Sequence, residues 1–145
     1  MLTVVEKVIF LQEVDIFKNS TTEDLALIAA ITQEIEMTKD SIIYKEGEIA
    51  DSMFLVIDGS VLLKREGKEL LVSKQNDAIG AWSLLDDEPR VVTAITLGDC
   101  RLLKIDKDDF IDLLADHVQI TQGILKTIVK RLRNLLTRIE VQGST

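Results

Sequence analysis

The residues best placed to do chemistry lie in one stretch, Gly80-Ala-Trp-Ser-Leu-Leu-Asp-Asp-Glu-Pro-Arg-Val-Val-Thr93. A glycine opens a short apolar run with helical spacing. The first N–H groups of a helix are unpaired and draw anions to them. Gly80 has no Cβ, so the backbone there can come close to a ligand. Pro89 stiffens the approach to Arg90, whose fork of donors fits a phosphate. Residues 79–93 therefore form a candidate anion-binding cassette. Its loop carries three carboxylates, Asp86, Asp87 and Glu88, which read as a solvated turn. Arg90 has a second reading, as a structural ion-pair partner of Asp86 or Glu88.

Little else in the 145 residues could react. One histidine and one cysteine leave almost nothing for a zinc site or a Cys–His pair. No Walker-type phosphate loop is present. No enzyme activity, metal or bound cofactor is expected. The net charge of −8 argues against direct nucleic-acid binding. It does not oppose one small anion, because charges beyond roughly 8 Å are screened at physiological salt. The lone Cys100 cannot form an internal disulfide, which suggests a reducing, cytoplasmic setting. The opening MLTVVEKVIF places Glu6 and Lys7 inside its apolar stretch and does not read as a signal peptide. The apolar runs are too short to span a membrane.

The elements that must hold the cassette follow from periodicity. Residues 1–145 read as one domain: N-terminal helices over 1–32, a β-roll over 33–105, and C-terminal helices over 106–140. A helix is predicted over 2–12, with Val5, Val8 and Ile9 on one face. Ser20 and Glu23 form a capping box ahead of a second helix, Leu25 to Ile31. Strands are predicted near 34–38, 41–45, 53–58, 60–66, 69–73, 91–97 and 100–105, with turns at Glu46-Gly47, Asp58-Gly59 and Glu66-Gly67-Lys68. So many short strands suggest an antiparallel roll. Asp106 caps a helix to about Ala115, with Asp109 at the capping-box position. The last helix, about 118–140, carries a heptad seam: Val118, Thr121, Leu125, Ile128, Leu132, Leu135 and Ile139, widened by Val129 and Leu136. The seam packs on the roll, forms a dimer, or does both. Cys100 reads as a small core residue and His117 as a surface one. Lys126, Lys130, Arg131, Arg133 and Arg138 give the helix a basic face, which reads as solvated or as meeting an acidic partner domain.

In this order, several pieces resemble the cyclic-nucleotide-binding domain of catabolite-activator-type regulators and kinase regulatory subunits. They are Leu11…Val14…Ile16-Phe17, the Glu46-Gly47 turn, Met53-Phe54-Leu55-Val56-Ile57-Asp58-Gly59, the cassette, and Leu102-Leu103-Lys104-Ile105…Phe110. The resemblance implies a mainly β fold, an antiparallel β-roll of jelly-roll type with N-terminal helices and a long C-terminal helix. It also implies a ligand site at Gly80, Ala81, Trp82, Ser83, Arg90, Val91 and Val92, with Arg131 or Arg133 as a base cap. Trp82 is equally suited to roof or core packing. Two positions depart from the family pattern. Ala81 stands where a glutamate accepts the ribose 2′-hydroxyl, and β-branched Val91 stands where a small residue follows the arginine. Losing a hydrogen bond to a charged acceptor weakens binding about tenfold to a hundredfold. The expectation is thus a non-catalytic sensor that binds cyclic AMP or cyclic GMP weakly, or another anion. Its last helix would report the ligand to a linked or partner effector, of the kind found in membrane transporters or helical-repeat proteins. No helix-turn-helix follows the last helix, so the chain is not expected to be a complete transcription regulator. The alternative is a lapsed pocket serving as a dimerisation or protein-interaction module.

Overall fold

In the computed structural model, which describes residues 1–143, the chain starts on a capping box. The Thr3 hydroxyl accepts the Glu6 N–H, and the Glu6 carboxylate accepts the Thr3 N–H, opening α1 (Val4–Gln12). Val8 and Leu11 are its buried residues, while the expected Val5 and Ile9 are exposed. Apolar residues ring this helix, so tertiary contacts rather than periodicity choose the face. A 3-10 turn, Asp15–Phe17, leads to α2 (Thr22–Ala30). Thr21, not Ser20, caps α2 by accepting the Asp24 N–H at 3.2 Å. In Ser20-Thr-Thr-Glu-Asp two cap patterns overlap by one residue, and the second is used.

Two four-stranded antiparallel sheets follow. One has the order β1 (Thr32–Met37), β8 (Cys100–Asp106), β3 (Ser52–Asp58), β6 (Ala78–Ile79). The other has the order β2 (Ile42–Tyr44), β7 (Thr93–Thr96), β4 (Val61–Arg65), β5 (Lys68–Ser73). This is the expected antiparallel roll with flanking helices. Ser52 to Ile57 are all buried because β3 is covered on both faces. Leu55 and Ile57 join Phe17, Ile105 and Phe110 in a core against the helices. Phe54 and Val56 join Tyr44, Val61, Ala94 and Leu102 in a second core. The alternation of side chains along a strand makes one strand serve both. Two-residue β6 was not predicted, being too short to show a period. Residues 91–92 lie outside β7, and the expected strand there begins at Thr93.

Between β6 and β7 the chain leaves the sheet for α3 (Ala81–Asp86), as the cassette required. After β8 come α4 (Lys107–Asp116) and α5 (Val118–Gly143). Asp106 is the N-cap residue of α4, but its side chain makes no capping hydrogen bond. The Lys107 N–H instead donates to the Asp51 carbonyl at 2.8 Å, tying the start of α4 to the loop before β3. Among the described residues of α5, Ile120, Gly123, Ile124 and Thr127 are buried. Much of the heptad seam, including Leu125, Val129, Leu132, Leu135, Leu136 and Ile139, faces outward. The helix is therefore apolar on two sides, and its own domain uses the side offset from the seam.

Candidate functional site

Arg90 is set by its backbone before its side chain. Its N–H donates to the Glu48 carbonyl and its carbonyl accepts the Gly47 N–H, both at 2.8 Å. This pairing with the Glu46-Gly47 turn sends the guanidinium inward, where the residue is 3% exposed. Nη1 donates to the Gly80 carbonyl at 3.2 Å. Nη2 donates to the Ser52 carbonyl at 2.6 Å and lies 3.3 Å from the Ser52 hydroxyl. Asp51 forms an ion pair at 3.8 Å. The guanidinium carbon sits 4.1 Å from the centre of the Tyr44 ring, a cation–π stack. Nε is buried and has no partner among the described residues. Burial pulls the Arg90 pKa below the usual arginine range, against the nearby negative charge of Asp51 and Glu48.

Gly80 answers two demands at once. Its φ of +80° is left-handed, and a Cβ there would collide with Arg90 Nη1. Gly80 is also the N-cap residue of α3. The arginine thus lies beside the start of this helix, as the sequence spacing predicts. The alternative reading, an ion pair of Arg90 with Asp86 or Glu88, is not what forms: its carboxylate partner is Asp51. Asp86 accepts the Glu88 N–H, and Asp87 pairs with Lys107. The Ser83 hydroxyl donates to the Pro89 carbonyl at 3.4 Å and pins the loop back to its helix.

A cavity of about 400 Å³ opens beside this arginine. All seven expected site residues line it: Gly80, Ala81, Trp82, Ser83, Arg90, Val91 and Val92. Val91 therefore does border the cavity, and Ala81, 6% exposed, presents no carboxylate to it. Leu63 and Leu71 add apolar wall from β4 and β5. Arg131 reaches the mouth from α5. Its Nε and Nη2 donate to Asp15 at 2.9 and 2.5 Å, and its guanidinium carbon lies 5.3 Å from the Trp82 ring centre. Trp82, 48% exposed, is a lip of the cavity rather than core. Arg133 does not line the cavity. Two residues further along a helix is a turn of about 200°, which carries it to the exposed side. Sequence reasoning missed Tyr44, Asp51 and Ser52. Tyr44 is the sole tyrosine and stands two residues before the Glu46-Gly47 turn, the one signal that could have drawn attention to it.

An antiparallel roll broken once by a short helix, with a buried arginine at that break and a cavity beside it, defines a helix-flanked β-roll domain with a pocket at the break. The chain belongs to the cyclic nucleotide-binding domain family, whose pattern matches residues 34–117. It is similar to the CRP-like cAMP-activated global transcriptional regulator of Mycobacterium tuberculosis, with 27% identity over 81% of this chain and 55% of that protein. It is also similar to lysophospholipase nte1 of Aspergillus terreus, with 28% identity over 72% of this chain but 7% of that protein. The chain thus spans about half or less of these relatives. Among solved structures, the N-terminal domain of a transcriptional regulator from Streptomyces coelicolor matches with a TM-score of 0.77 and 27% identity. That match covers 87% of this chain and 94% of that one. A cAMP-bound structure of PfPKA-R, residues 141-441, matches with a TM-score of 0.74 and 26% identity, covering 94% of this chain and 49% of that one. Among the described residues no helix is long and apolar enough to cross a membrane.

Proposed function

We propose that this chain is a non-catalytic regulatory sensor that takes a cyclic nucleotide, cyclic AMP or cyclic GMP, into the cavity beside Arg90. The observation that carries this reading is the Arg90 guanidinium, held at the cavity wall beside the start of α3. Asp51, itself exposed, is the carboxylate paired with this guanidinium, and an anion in the cavity would add a second counter-charge from the other side. The case rests on Arg90 more than on the helix start, since α3 has only 6 residues. Val91, Val92, Leu63 and Leu71 supply apolar wall suited to a base. Family membership supports the ligand class, as do the two relatives whose names mention cAMP. Ala81 makes the site a weak one.

Readout runs through α5, because Arg131 joins that helix to the cavity mouth. A ligand shifts the helix only by binding one of its positions better than another. A linked or partner effector in the cytoplasm, of membrane-transporter or helical-repeat type, reads the shift. The net charge of −8 disfavours nucleic acid as a direct partner. A second reading, favoured by the exposed seam of α5, is a homodimer formed through that helix, with the domain acting as an interaction module.

Titration calorimetry with cyclic AMP and cyclic GMP tests the main reading. Arg90→Ala should abolish binding, and Ala81→Glu should tighten it about tenfold to a hundredfold by restoring an acceptor at the cavity wall. Absence of binding by both the wild type and Ala81→Glu would leave the interaction module standing alone.

A further inference from the structure

Tyr44 is a buried side chain at the cavity that the family reading leaves without a role. A shift in register between Ile42 and Tyr44 marks an irregularity in the pairing of β2 with β7. Such bulges re-aim side chains. Here Ile42 is 49% exposed and Tyr44 only 6%. The ring is backed by Phe54, with centroids 6.2 Å apart and planes inclined by 27°. Its other neighbour is the Arg90 guanidinium, 4.1 Å from the ring centre. Its Cε2 would lie 3.4 Å from a Cβ at Gly80, so the ring also borders the cassette. Tyr44 is part of the cavity wall.

The hydroxyl has no hydrogen-bond partner among the described residues, yet it is not one of the fully enclosed unpaired atoms. It therefore keeps some accessible surface, on a residue that lines the cavity. Burial raises its pKa to about 12, so the group is a neutral O–H donor at any physiological pH. Beside the Arg90 guanidinium, this neutral donor would give an anionic oxygen in the cavity a hydrogen bond as well as a nearby positive charge.

We infer that Tyr44 is a second ligand-reading residue of this cavity, its ring carrying Arg90 and its hydroxyl donating to the phosphodiester that Arg90 attracts. The inference rests on the phosphate reading of the cavity and adds what sets its ligand preference. Two donors of different charge favour a singly charged phosphodiester over an uncharged nucleoside.

The test uses the whole chain and the variants Tyr44→Phe and Tyr44→Leu, with two probes. Calorimetry with cyclic AMP should show Tyr44→Phe binding about tenfold to a hundredfold more weakly, since the ring and its stack remain and only the donor is lost. Tyr44→Leu removes the stack as well and should bind more weakly still. Unchanged affinity in Tyr44→Phe overturns the inference. The second probe is dimethyl phosphate, followed through the Arg90 Nε–H resonance. A shift of that resonance in the wild type that shrinks in Tyr44→Phe supports the paired donors even where cyclic AMP fails to bind, in which case only the nucleotide reading falls. No shift in the wild type, or an equal shift in Tyr44→Phe, overturns the paired site itself. Phenylalanine keeps the ring that fills the core, so loss of folding does not obscure either result.

Discussion

Gly80 and Arg90 are bound to each other by shape. The glycine adopts a φ that other residues adopt only with strain, and its missing Cβ leaves the room that Nη1 occupies. Gly80→Ala should therefore act twice. The left-handed backbone costs about 1–2 kcal/mol of stability, read as a lower midpoint of denaturant unfolding. Displacement of the guanidinium should also reduce cyclic-nucleotide affinity, read by calorimetry under conditions where the variant is folded. A variant that loses stability but keeps full affinity would mean that Arg90 tolerates the new methyl, and the coupling would be refuted. The glycine and the arginine were legible in the sequence because they stand ten residues apart in one loop with Pro89 between them. Ser52 and Tyr44 were not, because they meet Arg90 from 38 and 46 residues away. Strand pairing places those two residues, and the backbone bonds of Arg90 to Gly47 and Glu48 bring the arginine to them.

At the scale of elements, the roll was readable and the faces of its helices were not. Seven strands announced themselves by β-branched runs between turn residues. The eighth, β6, has two residues and no period to show. For α5 the sequence offers two interleaved stripes. The seam runs through Val118, Leu125, Leu132 and Ile139, while Ile120, Ile124 and Thr127 also recur at helical spacing. Burial selects the second. That choice brings Arg131 to Asp15 and Trp82, whereas Arg133 turns outward. The resulting link spans α5, the 3-10 turn and α3. Both partners of the ion pair are partly exposed, so it should contribute no more than about 1 kcal/mol to stability. Asp15→Asn should accordingly leave the unfolding midpoint nearly unchanged, yet alter Trp82 emission by releasing Arg131 from its place beside the indole. Trp82 is the only tryptophan, so the signal belongs to this contact. Unaltered emission would show that Arg131 stays beside Trp82 without Asp15.

At the scale of the whole molecule, the unused stripe of α5 poses the remaining question. Leu125, Val129, Leu132, Leu135, Leu136 and Ile139 are each 47–62% exposed on one long helix. Heptad spacing lets two such helices interlock along a common seam. Full burial of each aliphatic side chain is worth about 1.5–3 kcal/mol, so a few per chain can offset the loss of translational freedom on association. Sedimentation of the chain should therefore show a dimer. Leu132→Asp places a carboxylate from each copy in the seam, where burial without a partner is strongly unfavourable. The variant should sediment as a monomer. Because Leu132 is 56% exposed within one chain, its far-UV dichroism and unfolding midpoint, compared at equal monomer fraction, should match the wild type. Ile124→Asp is the contrasting case: that residue is 3% exposed in the core against the helices, so the same charge should unfold the domain rather than merely dissociate it. A wild-type chain that remains monomeric at high concentration would refute the dimer and leave the stripe for a different partner.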